Sequence, residues 1–345
     1  MTQFIQLHLL TAYPPSNLNR DDLGRPKTAI VGGTERLRVS SQSLKRAWRT
    51  SSHFQETLSE FSGQRTKRLG LKVFERLIER EISDKQAEEW ASAIAGLFGK
   101  VKKENKLEIE QLAHVSPQEW DAAMSLADTL ADEKRAPDKE ELSLLRHRPK
   151  AVDIALFGRM LASSPSFNVE AAAQVAHAIT VDPTKVEDDF FTAVDDLNTH
   201  DEDAGAGHMG DFGFGSGIYY IYLCINRDLL EENLQGDEAL AKQAIVALTE
   251  AAAKVAPTGK QNSFASRAYT SYLLAEKGPQ QPRTLSAAFL SATRGANPLQ
   301  QAIERLEGQR SKFDKAYGKC ADDYRIMNVE EETGTLQEII DFVAT

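Results

Sequence analysis

The chain has 345 residues, 41% of them hydrophobic and 27% charged, with a formal net charge of -10. That supplies a sizeable core for one large domain or two ordinary ones, and the anionic total excludes a protein that coats nucleic acid indiscriminately. Cys224 and Cys320 are its two cysteines, far apart and in no metal-ligand spacing, and no apolar run approaches membrane-spanning length, so a reduced, cytoplasmic setting is expected, with no metal and no cofactor.

Between Phe4 and Leu10, Ile5, Leu7 and Leu9 alternate with Gln6 and His8, the period of a half-buried strand. The stretch is too short and too alternating for a signal peptide. His8, with no second ligand-type residue at useful spacing, reads as a residue of the pleat. Pro14-Pro15-Ser16-Asn17 is expected to break the strand. The loop Leu18-Asn19-Arg20-Asp21-Asp22 then leads through Gly24, Pro26 and Lys27 to a Gly32-Gly33 turn. Asp21 and Asp22 could be read as a metal or general-base site. Consecutive loop acids rarely converge on one ion, so the expectation is that they orient Arg20 or face solvent.

The chain is organised around Arg36 to Arg49, which holds Arg36, Arg38, Lys45, Arg46 and Arg49 and no acid. Arg36, Arg38 and Ser40 alternate with Leu37 and Val39 as in a strand. Ser40 or Ser41 can then cap a helix, on which Gln42, Lys45, Arg46 and Arg49 share one face and Leu44, Ala47 and Trp48 the opposite one. A polar face of donors, with unpaired backbone N–H groups at its start, is an anion site long enough to track a phosphate chain. Basic helix faces are commonly just solvated. The contrast with the rest of the chain favours phosphate: from Asn17 to Arg49 eight basic residues meet three acids, inside an acidic protein.

From about Phe54 to Lys150 the apolar residues recur at helical spacing, as in Leu71, Phe74, Leu77 and Ile78, and Ser116-Pro117-Gln118-Glu119 is a helix start. This reads as a helical module inserted between strands, with Ala136-Pro137-Asp138 separating its last two helices. The run Lys100, Lys102, Lys103 and Lys106 reads as a solvated turn. Strands are expected at Ala151–Leu161 and Val169–Val181, with Gly158-Arg159-Met160 between them and His177 as a core histidine. Asp182 to Phe214 carries ten acids against Lys185 and ends in a glycine-rich tract. Asp211-Phe212-Gly213 lacks the rest of a kinase set, and the glycines lack the strand-to-helix context of a dinucleotide site. A mobile hairpin arm with acidic flanks, a glycine-rich tip and apolar residues Phe190, Phe191, Met209, Phe212 and Phe214 fits better. Gly217–Asn226 reads as a strand and Asp237–Val255 as a helix. Strands are expected within Phe264–Glu276 and Thr284–Ser291, and a helix over Asn297–Tyr317. Strand-helix-strand-strand-helix-strand is the order of an α+β, ferredoxin-like sheet.

The strings Leu18-Asn19-Arg20-Asp21-Asp22, Arg38-Val39-Ser40-Ser41-Gln42-Ser43-Leu44-Lys45-Arg46-Ala47, Val152-Asp153-Ile154-Ala155-Leu156 with Gly158-Arg159-Met160, Ala176-His177-Ala178-Ile179-Thr180 and Phe190-Phe191-Thr192-Ala193-Val194-Asp195-Asp196 together resemble the CasC family, the backbone subunits of the type I-E CRISPR Cascade surveillance complex. The resemblance implies an RRM-like palm (residues 1–56 and 150–345), inserted helical fingers (57–149) and a β-hairpin thumb (182–217). It implies copies polymerising head to tail along the CRISPR RNA, with other Cascade subunits at the ends and a target DNA strand pairing with the guide. On that resemblance Arg20, Lys27, Ser40, Gln42, Lys45, Arg46 and Arg49 hold RNA phosphates and sugars. Arg159 and Met160 lie at the kink, and Phe191, Thr192, His208 and Met209 belong to the thumb that displaces one base at intervals. The family shows leucine where this chain has Met209. A subunit that grips every guide alike must contact backbone rather than base edges. The rival reading is a metal-dependent RNA endonuclease using Asp21 or Asp22, which lacks a cluster to supply a second ligand or a general acid.

Overall fold

The computed structural model describes residues 3–193 and 208–345, the side chains of Ala193 and His208 excepted. In chain order its strands are β1 (Phe4–Ser16), β2 (Thr28–Val31), β3 (Thr34–Val39), β4 (Gln64–Thr66), β5 (Ala113–Val115), β6 (Ala173–Val175), β7 (Ala178–Thr180), β8 (Glu187–Ala193), β9 (His208–Asn226), β10 (Tyr272–Gly278) and β11 (Asp323–Asn328). The helices are α1 (Ser41–Arg49), α2 (Ser52–Leu58), α3 (Leu69–Glu79), α4 (Asp84–Ala95), α5 (Pro117–Glu133), α6 (Val152–Phe157), α7 (Arg227–Asn233), α8 (Glu238–Lys254), α9 (Gln261–Phe264), α10 (Pro298–Tyr317) and α11 (Leu336–Ala344). Among the described residues no helix is long and apolar enough to cross a membrane.

The main sheet runs β11-β10-β1-β9-β7-β3-β2, with β6 and β8 also pairing with β9, while β4 and β5 form a separate ribbon. All its pairs are antiparallel. β9 is the spine. Its C-terminal part pairs with β1, from Phe4 opposite Asn226 to Ser16 opposite Gly215, and its N-terminal part leaves the sheet to pair with β8. β1 outruns the sequence expectation. It continues through Pro14 and Pro15 to Ser16 because the register shifts between Tyr13 and Ser16, and a bulge tolerates residues that cannot complete a ladder.

The alternation in β1 sends Ile5, Leu7 and Leu9 into a core shared with α1, α2, α8 and α11. The opposite face is not left to water. Leu10, Tyr220, Tyr272 and Leu274 pack there against Phe289 and against Ala302, Ile303 and Leu306 of α10. His8 is therefore fully buried, with Nδ1 2.8 Å from the Tyr220 hydroxyl and Nε2 3.2 Å from Glu276 Oε2. Glu276 also accepts from Arg283 and, at 2.7 Å, from Arg310 Nε. Burial alone would raise the Glu276 pKa, but the bonds from His8 and Arg283 hold it well below the carboxylate range, while burial keeps His8 low. A third core lies under α3, α4 and α5, from Leu69 to Leu161, apart from both faces of the sheet.

Several expected strands are something else. Val152–Phe157, expected as a strand, is helix α6, every residue of it buried. A short continuous apolar run carries no period to separate the two. Thr284–Ser291 contains a 3-10 turn, Ser286–Phe289, and the strand expected from Phe264 begins at Tyr272, after α9. Val169–Val181 divides into β6 and β7. After Ala136-Pro137-Asp138 no helix forms until α6, and β11 and α11 extend the C-terminal third beyond the expected elements. His177, expected in the core, is exposed.

The stability that the Glu276 carboxylate contributes is present above the ordinary carboxylate range and is lost as the pH falls through its depressed pKa. Glu276→Gln leaves Arg283, Arg310 and His8 without their anion, so it should cost about 3–5 kcal/mol at neutral pH. Urea midpoints at pH 7 and at pH 4 check this: the variant is destabilised at both, with a weaker loss on acidification than the parent chain.

Candidate nucleic-acid interface

The capping and the division of faces in α1 follow the sequence. Ser40 is the N-cap, its hydroxyl accepting from Ser43 N at 3.3 Å, and Leu44, Ala47 and Trp48 are buried. Losing a cap of this kind costs about 1 kcal/mol. The Ser40 N–H donates to Asn19 Oδ1 at 2.9 Å, and Lys27 N–H to Asn19 O at 2.8 Å. One asparagine thus holds the Arg20–Lys27 loop against the start of α1. Arg20 and Gln42 are exposed, and Lys27 is half-buried.

The far end of α1 is built on Asp153, a buried carboxylate at the start of α6. Its Oδ1 accepts from Gly63 N at 2.8 Å; its Oδ2 lies 2.7 Å from His114 Nε2 and 3.3 Å from Arg49 Nη1. The other nitrogen of His114 accepts from Arg65 Nε at 3.4 Å, which places the imidazole proton on Nε2, facing the carboxylate. Burial would raise the Asp153 pKa, but the bonds from His114 and Gly63 and the charge of Arg49 bring it below the usual range. Burial lowers Arg65, with Arg49 and Arg46 pushing the same way, and burial and the nearby Arg65 lower Lys45. Arg49 and Arg65 therefore share the Asp153 carboxylate, with Arg46 acting on Arg65 and Arg65 on Lys45. Lys45 has no acidic partner among the described residues and lies 5.7 Å from the centre of the Phe157 ring. Arg65, on β4, was missed in the sequence because it lies 16 positions after Arg49, outside the basic stretch, and belongs to a short strand with no visible period.

Not every expected contact lies here. Arg36 is buried beneath β3, donating to Thr180 O at 2.9 Å and Phe289 O at 3.2 Å, so it is no part of an exposed stripe. Arg38 reaches His177 Nδ1 at 2.8 Å. Arg49 is partly committed to Asp153, with other N–H groups left over. Arg159, expected with Met160 at the RNA kink, is interior. Its guanidinium donates to both oxygens of Glu119 at 2.9 and 2.7 Å and to Arg146 O and Phe167 O, while Glu119 also closes the cap of α5 at Ser116. Met160, its neighbour, is 76% exposed. Asp21 Oδ1 accepts from Leu23 N and Arg25 N, which folds its loop.

Phe191, Thr192 and Met209 lie on the β8–β9 hairpin, where Phe191 opposes Gly210, Thr192 opposes Met209 and Ala193 opposes His208. Met209 and Phe190 are exposed. Val194, Asp195, Asp196, Gly205 and Gly207 lie outside the described residues. The glycines that are described do not form a tip; they belong to β9. A Cβ on Gly210 would stand 2.6 Å from the Phe191 ring, one on Gly213 3.0 Å from Pro26, and one on Gly215 2.9 Å from Leu37. They let β9 pass close over the Arg20–Lys27 loop and β3. Arg25 pairs with Asp188 at 2.9 Å, and Phe212 and Phe214 pack on Phe264, fixing the base of the hairpin beside the cationic loop.

A family model described as CT1975-like protein matches residues 5–342. Among solved structures, a chain described as "CRISPR RNA-guided surveillance complex, pre-nicking" is 31% identical, with 99% of each chain covered and a TM-score of 0.83. Another, described as "CRISPR RNA-guided surveillance complex", is 26% identical, with 99% of each chain covered and a TM-score of 0.74. No curated protein matches the chain.

Removing the Arg159 guanidinium leaves Glu119 buried and unpaired. Arg159→Ala should therefore lower stability by about 3–5 kcal/mol in equilibrium denaturation. A change within about 0.5 kcal/mol would show that the ion pair is not structural.

Proposed function

The chain belongs to the CT1975-like protein family, and on that premise we propose that it is a guide-holding subunit of a Cascade-type CRISPR surveillance complex. It grips CRISPR RNA through the sugar-phosphate chain. The observation that carries this reading is the group Lys45, Arg46, Arg49 and Arg65, in which the buried carboxylate of Asp153 acts on Arg49 and Arg65, an excess of positive charge in a chain of net charge -10. Such a surface contacts backbone and is indifferent to base identity. The similarity to chains of RNA-guided complexes over nearly their full length supports it.

The finer reading is of the type I-E, CasC-like kind. The order β1, α1, β6–β7, β9, α8, β10 is strand-helix-strand-strand-helix-strand, and we take these elements as a ferredoxin-like, RRM-like palm. The third core, under α3 to α5, is the fingers, and β8 with the start of β9 is the thumb. Copies stack head to tail along the RNA. Each thumb displaces a base with Phe191, Thr192, His208 or Met209 and leaves the others to pair with target DNA, while other Cascade subunits close the ends. The setting is cytoplasmic, and the subunit has no chemistry of its own. The engagement of Asp21 Oδ1 by two backbone N–H groups favours a loop-shaping role over metal binding.

The test is salt-dependent binding of single-stranded RNA. Lys45→Ala, Arg46→Ala and Arg65→Ala combined remove up to three phosphate contacts, so the slope of log K against log salt should fall by about 2, equally for unrelated guides. A loss confined to certain sequences, or an unchanged slope, would contradict backbone recognition. Incubation with guide, complementary RNA and magnesium should yield no regularly spaced cuts.

A further inference from the structure

A recess of about 660 Å³ borders α1 on the side of Arg46, within the roughly 300–1,000 Å³ of small-molecule sites. Thr50, whose N–H and hydroxyl both donate to Arg46 O, forms its near wall with His53; Lys254, Gln261, Arg267 and Tyr269, from the C-terminal third, form the far one. This second wall was not legible in the sequence, because no charge cluster or motif marks residues 254–269.

Three features of the recess are unexplained by packing. Tyr269 is 70% exposed, with no ring partner among the described residues. Arg267 is exposed, and its guanidinium has no carboxylate or hydrogen-bond partner among the described residues. The one acid nearby, Glu250, is engaged by Lys254 at 2.6 Å and approached by His53 at 3.7 Å. Gln261 carries a buried Oε1 that no donor satisfies. Its amide cannot be turned to remove the problem, because Nε2 faces two carbonyl oxygens, Pro257 O at 2.9 Å and Ser266 O at 3.5 Å.

We propose that this recess holds one nucleotide of a single-stranded RNA whose backbone lies along α1. The base stacks on Tyr269 and the phosphate meets Arg267. An exposed aromatic ring beside an uncommitted guanidinium is the pairing that binds single-stranded nucleic acid without reading its letters. The recess lies beside the C-terminal end of α1, where Ala47 and Thr50 line it. This inference rests on the guide-holding function and adds to it a place where the strand is held by a base.

The experiment uses the full chain and single-stranded RNA carrying 5-bromouridine. Ultraviolet crosslinking followed by peptide mass spectrometry should place an adduct on Tyr269. Tyr269→Ala and Arg267→Ala should each weaken RNA binding about five- to tenfold, Tyr269→Phe should restore it by keeping the ring, and unchanged thermal unfolding should accompany all three. Adducts elsewhere only, with full affinity in Tyr269→Ala and Arg267→Ala, would overturn the recess. If the α1 variants still lose affinity in that case, the guide-holding function stands without it. If neither set loses affinity, both readings fail.

Discussion

The cationic face of α1 depends on one buried anion. Asp153 supplies a counter-charge to Arg49 and Arg65 from a buried position, where burial strengthens each interaction. The same carboxylate joins parts of the chain that are far apart in sequence. Arg49 belongs to α1, Gly63 precedes β4, His114 lies in β5, and Asp153 itself opens α6. Through His114 the arrangement also orients Arg65. The helical insertion is thus fastened to the sheet at the point where its arginine is delivered to the stripe. A second buried pair, Arg159 with Glu119, fastens it again through the cap of α5.

The sheet explains why the anion site lies on a helix. In RRM-type proteins, aromatic residues on an open sheet face stack bases directly. Here that face is closed. Tyr220, Tyr222 and His8 stack on one another beneath Phe289 and α10, and Glu276 draws Arg283 and Arg310 over them. The aromatic residues that would read bases are spent on packing, and the exposed donors lie on α1, β4 and the Arg20–Lys27 loop. A protein arranged in this way can grip a strand by its phosphates more readily than it can choose among sequences.

Much of α1 was legible because its chemistry is local. The cap at Ser40, the buried Leu44, Ala47 and Trp48, and the outward Gln42, Lys45 and Arg46 are fixed by helical period alone. What failed was long-range. Period 2 placed Arg36 and Arg38 on one face, but it could not say that this face would be covered at Arg36, where Thr180 O and Phe289 O supply acceptors from 144 and 253 residues away. Arg159 was expected at the kink beside Met160 on the resemblance alone, and nothing near it in sequence reveals Glu119 forty residues earlier. Val152–Phe157 is apolar but for Asp153 and too short to show a period, so both its type and the burial of Asp153 were settled by packing. The glycines of β9 were legible as unusual but not as to purpose; the close approaches of Pro26 and Leu37 set that purpose.

Crowding the cations has an energetic consequence for binding. Arg65 disfavours the charged form of Lys45, and Arg49 and Arg46 disfavour that of Arg65, on top of what burial does. Asp153 offsets part of this repulsion at Arg49 and Arg65. The remainder is stored in the unbound protein and screened by salt over about 8 Å at physiological ionic strength. A phosphate chain laid across the group relieves it, so the driving force exceeds what the same four residues would give if dispersed. The buried carboxylate sets the limit: it keeps the cluster folded without an RNA, and because it is already bonded to Gly63, His114 and Arg49 it does not compete for the strand.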